Sequence, residues 1–162
     1  MKISTLGTTL SYGVASTPGA KPSTFTLLDQ CYEIGDYSPE SETIDVSDLC
    51  SLVDEFVAGR ASAGGSIAIN FRRDPEKSIP QLEKLFSDSK TGKLANKETW
   101  LQIIYPGMDR AFFFQADFGD VIPFPGATMN ESANLSISAT VRKYVGLDAK
   151  VTPVANTAKA SS

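Results

Sequence analysis

The chain has 162 residues, a formal net charge of −4, 41% apolar and 21% charged residues, which is the balance of one globular domain able to hold a core without cross-links. The negative charge argues against a surface that grips nucleic acid. The absence of histidine removes the commonest general base and metal ligand, and Cys31 and Cys50 make neither a disulfide framework nor a zinc knuckle. No apolar run approaches the ~18 residues of a membrane span, and "MKISTLGTTLSYGVAS" lacks the uninterrupted apolar core of a signal peptide.

Residues 1–24 read as an N-terminal arm, because Pro18, Gly19 and Pro22 interrupt both regular periods. "FTLLDQCYEIG" (25–35) reads as a strand, and "TIDVSDL" as a second extended stretch. Leu49, Leu52, Val53, Phe56 and Val57 then fall at helical spacing, with Ser47 or Asp48 as a cap and Gly59 as a stop. A stretch of Gly, Ala and Ser ending at Gly64 and Gly65 leads into "SIAINF", a strict alternation. Ile67, Ile69 and Phe71 are its core face, and Ser66, Ala68, Asn70 and Arg72 its opposite face.

A helix is predicted over 78–91, with Ser78 as cap, Pro80 in the first turn and Gly92 as its end. Leu82, Leu85 and Phe86 form its buried stripe. "ETWLQIIYPGMDRAFFFQADF" predicts a hairpin turning at Pro106–Asp109, with Phe112, Phe114 and Phe118 in the core and Gln115 and Asp117 opposite. The last strand sets Leu135, Ile137, Ala139 and Val141 inward, and Asn134, Ser136, Ser138, Thr140 and Arg142 outward. Residues 148–162 read as a C-terminal tail. The expected fold is mainly β (α+β): an antiparallel barrel or sandwich over 25–147 with one packed helix.

The outward faces of the two clearest strands are small and neutral, where a surface strand ordinarily carries Lys, Glu or Arg to guard its edge. That composition suits a surface that must be polar without being adhesive, and it also suits ordinary solvent exposure. Catalysis would rest on carboxylate pairs such as Asp117 with Asp120, Asp45 with Asp48, or Asp54 with Glu55. Such spacings usually flank strands and turns in water. "SKTGK" lacks the first glycine of a phosphate loop and follows a helix rather than a strand. Neither pattern points to an enzyme, and none points to a cofactor or metal.

The ordered series is similar to the tail tube (major tail) proteins of long, non-contractile-tailed bacteriophages, the lambda-like tail tube family. It comprises the loop "VDEFVAGRASAGG", the strand "SIAINF", the helix "PQLEKLF", the hairpin about "YPG" and the last strand "NLSISATVRKYVG". The likeness runs over about residues 5–147 and departs in the longer "TGKLANKETW" joint. It implies a virion protein assembled in the bacterial cytoplasm, whose hexameric rings stack into a hollow tube that conducts DNA during genome ejection. The implied partners are further copies of itself, a tape-measure protein and tail tip and terminator proteins. DNA passes through the lumen without specific binding, and no membrane is engaged.

On that likeness, Leu49, Leu52, Val53, Phe56, Val57, Gly64 and Gly65 belong to an inter-subunit loop over 49–65. Ser66, Ala68, Asn70, Gln115, Asp117, Asn134, Ser136, Ser138 and Thr140 would face the lumen, and Arg142 would pair with an acidic neighbour. The alternatives are a tube subunit of a contractile or type VI-like injection system, and a monomeric β-sandwich binding module.

Overall fold

A computed structural model describes residues 6–50, 52–53, 56–62, 65–124, 126–127, 129 and 133–156. Seven strands form one antiparallel sheet: β1 (Thr9–Val14), β2 (Thr26–Leu28), β3 (Cys31–Ile34), β6 (Ser66–Arg72), β7 (Thr99–Ile104), β8 (Arg110–Asp117) and β9 (Asn134–Ala149). Their spatial order is β2-β1-β7-β8-β9-β6-β3. β4 (Glu40–Asp45) and β5 (Phe56–Ser62) form a separate two-stranded sheet, and one helix among the described residues, α1, spans Ser78–Leu94.

β2 and β3 lie at opposite edges of the sheet, yet only Asp29 and Gln30 separate them. Three Cα–Cα steps of ~3.8 Å cannot span more than ~11 Å, so the sheet must roll until its two edges nearly meet. Gln30 makes this passage with a left-handed φ of 67°. "FTLLDQCYEIG" is therefore two strands rather than one. The link is fixed from inside: the Asp29 amide donates to Gln81 Oε1 at 2.8 Å, and Gln81 Nε2 donates to Asp29 Oδ2 at 3.0 Å.

The inner face of the roll carries one continuous core. Ile67, Ile69 and Phe71 of β6, Leu135, Ile137 and Val141 of β9, and Phe114 of β8 meet Leu82, Leu85 and Phe86 of α1 there. All ten are buried, as their alternation predicted. Phe112 faces the same core but is only half-buried.

α1 extends one turn beyond the predicted end. Ser78 is its first residue rather than its cap; its Oγ accepts from the Asp74 amide at 2.7 Å. Gly92 does not stop the helix because it is needed inside the last turn, where a Cβ would lie 2.8 Å from Val14 Cγ1. Gly92→Ala would gain about 1 kcal/mol of helix propensity and lose more to overpacking, which costs typically 1–3 kcal/mol. A net loss of up to about 2 kcal/mol in urea unfolding is expected, with Val14→Ala in the same chain restoring part of it.

The region read as an N-terminal arm contains β1, which lies inside the sheet between β2 and β7. Leu10 and Tyr12 enter the inner core, and Ser11 is buried on the other face. That outer face has a core of its own over β1, β7 and β8, where Trp100, Ala111 and Phe113 are covered by Ala15, Phe25 and Val151. Phe113 packs on Phe25 and Trp100 at ring-centroid distances of 5.7 and 6.2 Å.

The cover is held by polar contacts. Gln102, fully buried, accepts the Val151 amide at 2.8 Å and donates to the Val151 carbonyl at 2.8 Å and to Ser11 Oγ at 3.1 Å. Val154 bridges Thr26 in parallel. Lys21 lies 4.2 Å over the Phe113 ring and 3.6 Å from Asp148. Residues 148–156 of the expected tail are thus partly built into the fold; 157–162 lie outside the described residues.

The hairpin of β7 and β8 turns at Tyr105–Met108, one residue earlier than expected, with the Met108 amide donating to the Tyr105 carbonyl at 3.4 Å. Pro106 followed by Gly107 at φ 81° is the arrangement a type II turn requires.

Candidate functional site

Two surfaces stand out among the described residues. The first is a polar strip on the outer face of β6 and β9. The ladder sets Ser66 beside Thr140, Ala68 beside Ser138, Asn70 beside Ser136 and Arg72 beside Asn134. Ser66, Ala68, Ser136, Ser138 and Thr140 are exposed, while Asn70 and Asn134 are half-exposed. Asn70 Nδ2 donates to Glu33 Oε2 at 3.2 Å, and Arg72 Nη1 donates to Asn134 Oδ1 at 2.9 Å.

The strip continues onto β8 at one side, where Asp117 stands beside Thr140. Arg142 Nε lies 3.5 Å from Asp117 Oδ2, the acidic partner its position called for. Both side chains reach water, so the pair contributes little to stability, but it cancels two charges on a surface whose other charges are Arg72 and Glu33 at its far side. At the other side the strip reaches β3, whose outer edge pairs with no strand among the described residues. The strip is therefore four strands wide, β8-β9-β6-β3.

Gln115 does not belong to it. The residue is on the outward face of β8, as expected, but is only 8% exposed beside Trp100, in the half of that face which the terminal segments cover. Sequence reasoning had no measure of that cover.

The second surface is the arm made by β4, β5 and the residues between them. β4 and β5 pair with each other and not with the seven-stranded sheet. The helical spacing from Leu49 to Val57 does not produce a helix. Asp45 Oδ1 accepts the Ser47 amide and Asp48 Oδ1 accepts the Cys50 amide, each at 2.9 Å, so the chain turns twice before β5 begins. The first bond also holds the Asp45 carboxyl below its usual pKa.

Leu49 and Leu52 are fully exposed, Val53 is 77% and Phe56 57% exposed, and Val57, Ile44 and Val46 are exposed with them. The apolar character of Ile44 and Val46, on the other side of the arm, was visible in "TIDV" but unused.

The arm's roots are fixed where the arm leaves the body. Tyr37 packs on Phe114 and Tyr144 with centroids 5.8 and 5.6 Å apart. Gly65 adopts φ 113°, and its carbonyl accepts the Val141 amide at 3.0 Å. A residue with a Cβ would be strained there, which fits Gly65 as the point where the arm returns; Gly64 lies outside the described residues.

The two cysteines differ in kind. Cys50 sits exposed on the arm, whereas Cys31 is half-buried at a groove between β3 and the start of β1. Burial pushes the Cys31 thiol up to about 11, partly offset by a backbone hydrogen bond at Glu33. At pH 8 about one Cys31 in a thousand is then thiolate, so a maleimide titration is expected to find one fast thiol, Cys50, and a second only as the pH approaches 11. Because the folded state holds the protonated thiol, its share of stability is present below the ordinary thiol pKa and is lost as pH rises from 9 towards 11.

Among the described residues no cluster of Cys, Asp and Glu could hold a metal ion, and no helix is long and apolar enough to cross a membrane. No protein-family model matches the chain, and no curated protein matches it. The functional reading therefore rests on the two surfaces.

Proposed function

We propose that the chain is a structural subunit of a bacteriophage tail tube, assembling into hexameric rings that stack around a DNA-conducting bore. The observation that carries this reading is the four-strand polar strip ending at the unpaired edge of β3. The edge is short, carries Glu33 and bulges between Cys31 and Glu33, which guards it in part, yet its outer backbone groups are open to pairing with another chain. Six such strips set side by side around a ring, each bounded by its β3 edge, would present about twenty-four strands to an inner bore; at ~4.8 Å spacing and ~40° tilt the circumference is ~150 Å and the backbone diameter ~48 Å. After ~10 Å of side chains the bore passes a ~20 Å duplex.

Ser66, Ala68, Asn70, Asn134, Ser136, Ser138 and Thr140 would line that bore, with Asp117 neutralised by Arg142. A surface without excess cations makes no counterion-releasing grip on phosphate, so a duplex can slide. The arm, through Leu49, Leu52, Val53, Phe56 and Val57, would hold neighbouring copies together. In this reading the chain performs no catalysis and needs no cofactor.

Negative-stain electron microscopy of the concentrated protein, beside light scattering, tests the reading. Rings or hollow tubes with a six-fold end view are the expected result. Monomers that persist even with tail-tip extract added would overturn it in favour of a binding module.

A further inference from the structure

The distribution of charge along the chain is uneven in a way that identifies where the arm binds. Residues 36–65 hold seven of the chain's nineteen carboxylates and one of its fifteen cations, a net −6, so the remainder of the chain is net +2. The arm therefore interleaves acids with uncovered apolar side chains. A complement lies at the C-terminal end of α1. Lys90 and Lys93 are exposed there, Lys97 is half-exposed, and none of the three has a salt-bridge partner among the described residues.

Leu94 stands among them with 84% of its surface in water. Beside them a cleft of about 340 Å³ opens between α1 and β1, lined by Tyr12, Val14, Thr26, Gly92, Lys97 and Asp88, whose Oδ2 accepts the Tyr12 hydroxyl at 2.9 Å. An exposed leucine among lysines, next to a cleft, suits an acidic, apolar segment: the apolar side chains leave water, and the flanking carboxylates face ammonium groups within the ~8 Å over which charge is felt at physiological salt.

We propose that the arm of one copy docks on the basic C-terminal end of α1 in a second copy, seating apolar side chains about Leu52 and Phe56 against Leu94 and the cleft. The occupant is a second copy because the acidic arm and the lysines of α1 are complementary surfaces of the same chain, and no salt bridge joins them within one chain among the described residues. The larger groove, about 550 Å³ between β3 and the start of β1, is the poorer receptor: Glu33 lines it and no lysine or arginine does, whereas Lys97 lines the cleft and the Asp88 there is already bonded to Tyr12. The arm and the helix end are different patches, so the contact is heterologous and repeats from copy to copy, closing into a ring or running on as a filament. The inference rests on the assembly reading above and names the surface that reading leaves open.

The test uses the full chain as isotopically light and heavy pools mixed at a concentration where it associates. A maleimide–succinimide cross-linker starts from Cys50, and mass spectrometry maps the joined peptides. The expected result is Cys50 of one pool joined to Lys90, Lys93 or Lys97 of the other. Lys90→Glu with Lys93→Glu is expected to weaken association at least tenfold in sedimentation, as is raising NaCl from low to half-molar concentration. Cys50 joined mainly to Lys21, Lys143 or Lys150 overturns the docking, as does an unchanged association in the double variant. A chain that stays monomeric at its solubility limit in low salt also overturns it. Six-fold tubes with Cys50 joined elsewhere would refute the docking and leave the tube reading standing. Helix-to-arm cross-links in filaments without a six-fold end view would do the reverse.

Discussion

Phe113→Ala is expected to lower unfolding stability by about 3–5 kcal/mol, the full range for removing a buried aromatic ring. The ring is wholly buried, although it points away from the core that the helix covers. It touches Phe25, Trp100 and Lys21, and through Lys21 it reaches Asp148. One truncation therefore opens a cavity and loosens both terminal segments from the outer face. Urea unfolding followed by Trp100 fluorescence reads the loss. Phe112→Ala is the control: its ring is half-buried at the rim of the inner core, so a smaller cost of about 1–2 kcal/mol is expected. Equal costs at the two positions would mean that the outer layer contributes no more than a rim.

Leu52→Asp with Phe56→Asp is expected to do the opposite, leaving stability within about 0.5 kcal/mol while abolishing self-association. Both side chains are largely in water, on an arm whose strands pair only with each other. In an assembly each buried side chain would contribute about 1.5–3 kcal/mol, so losing both weakens association by roughly 3 kcal/mol or more, a factor of about 100 or greater. Sedimentation velocity on folded protein separates the two effects. A large fall in melting temperature would instead place these residues in the subunit's own core.

The contrast between these two substitutions marks what the sequence disclosed. β6, β9 and α1 were legible because each buries one face against a single core, so the alternation of Ile67, Ile69 and Phe71 and the stripe of Leu82, Leu85 and Phe86 carry the whole signal. β7 and β8 are buried on both faces. Their runs "WLQII" and "AFFFQA" have no clean period, and they are the kind of apolar run that signals two-sided cover.

β1 alternates correctly as Leu10, Tyr12 and Val14, but its small partners Ser11 and Gly13 sit amid a Ser-, Thr- and Gly-rich segment that reads as loop. Gln115 and Gln102 were unreadable for another reason: burial of a polar side chain depends on partners far along the chain, as Gln102 shows with Ser11 and Val151. From Leu49 to Val57 the apolar spacing imitates a helix because periodicity assumes that a segment's apolar residues face its own core. Here Asp45 and Asp48 turn the chain, and those residues face outward.

The two-residue passage from β2 to β3 has a consequence for how the molecule is made. The strand beside β1 on one side is β7, about ninety residues later, and the strand beside β6 is β9, which ends the sheet in sequence. Topologies so dependent on distant pairing close slowly, in milliseconds to seconds for small domains. On the ribosome, β3, the arm and β6 emerge well before β9 can cover the ladder of β6, and at several residues per second that interval is several seconds or longer. During it, an open strand edge and an oily arm coexist on a chain that cannot yet fold. The six carboxylates of residues 40–62 give those nascent arms like charge, which opposes their aggregation.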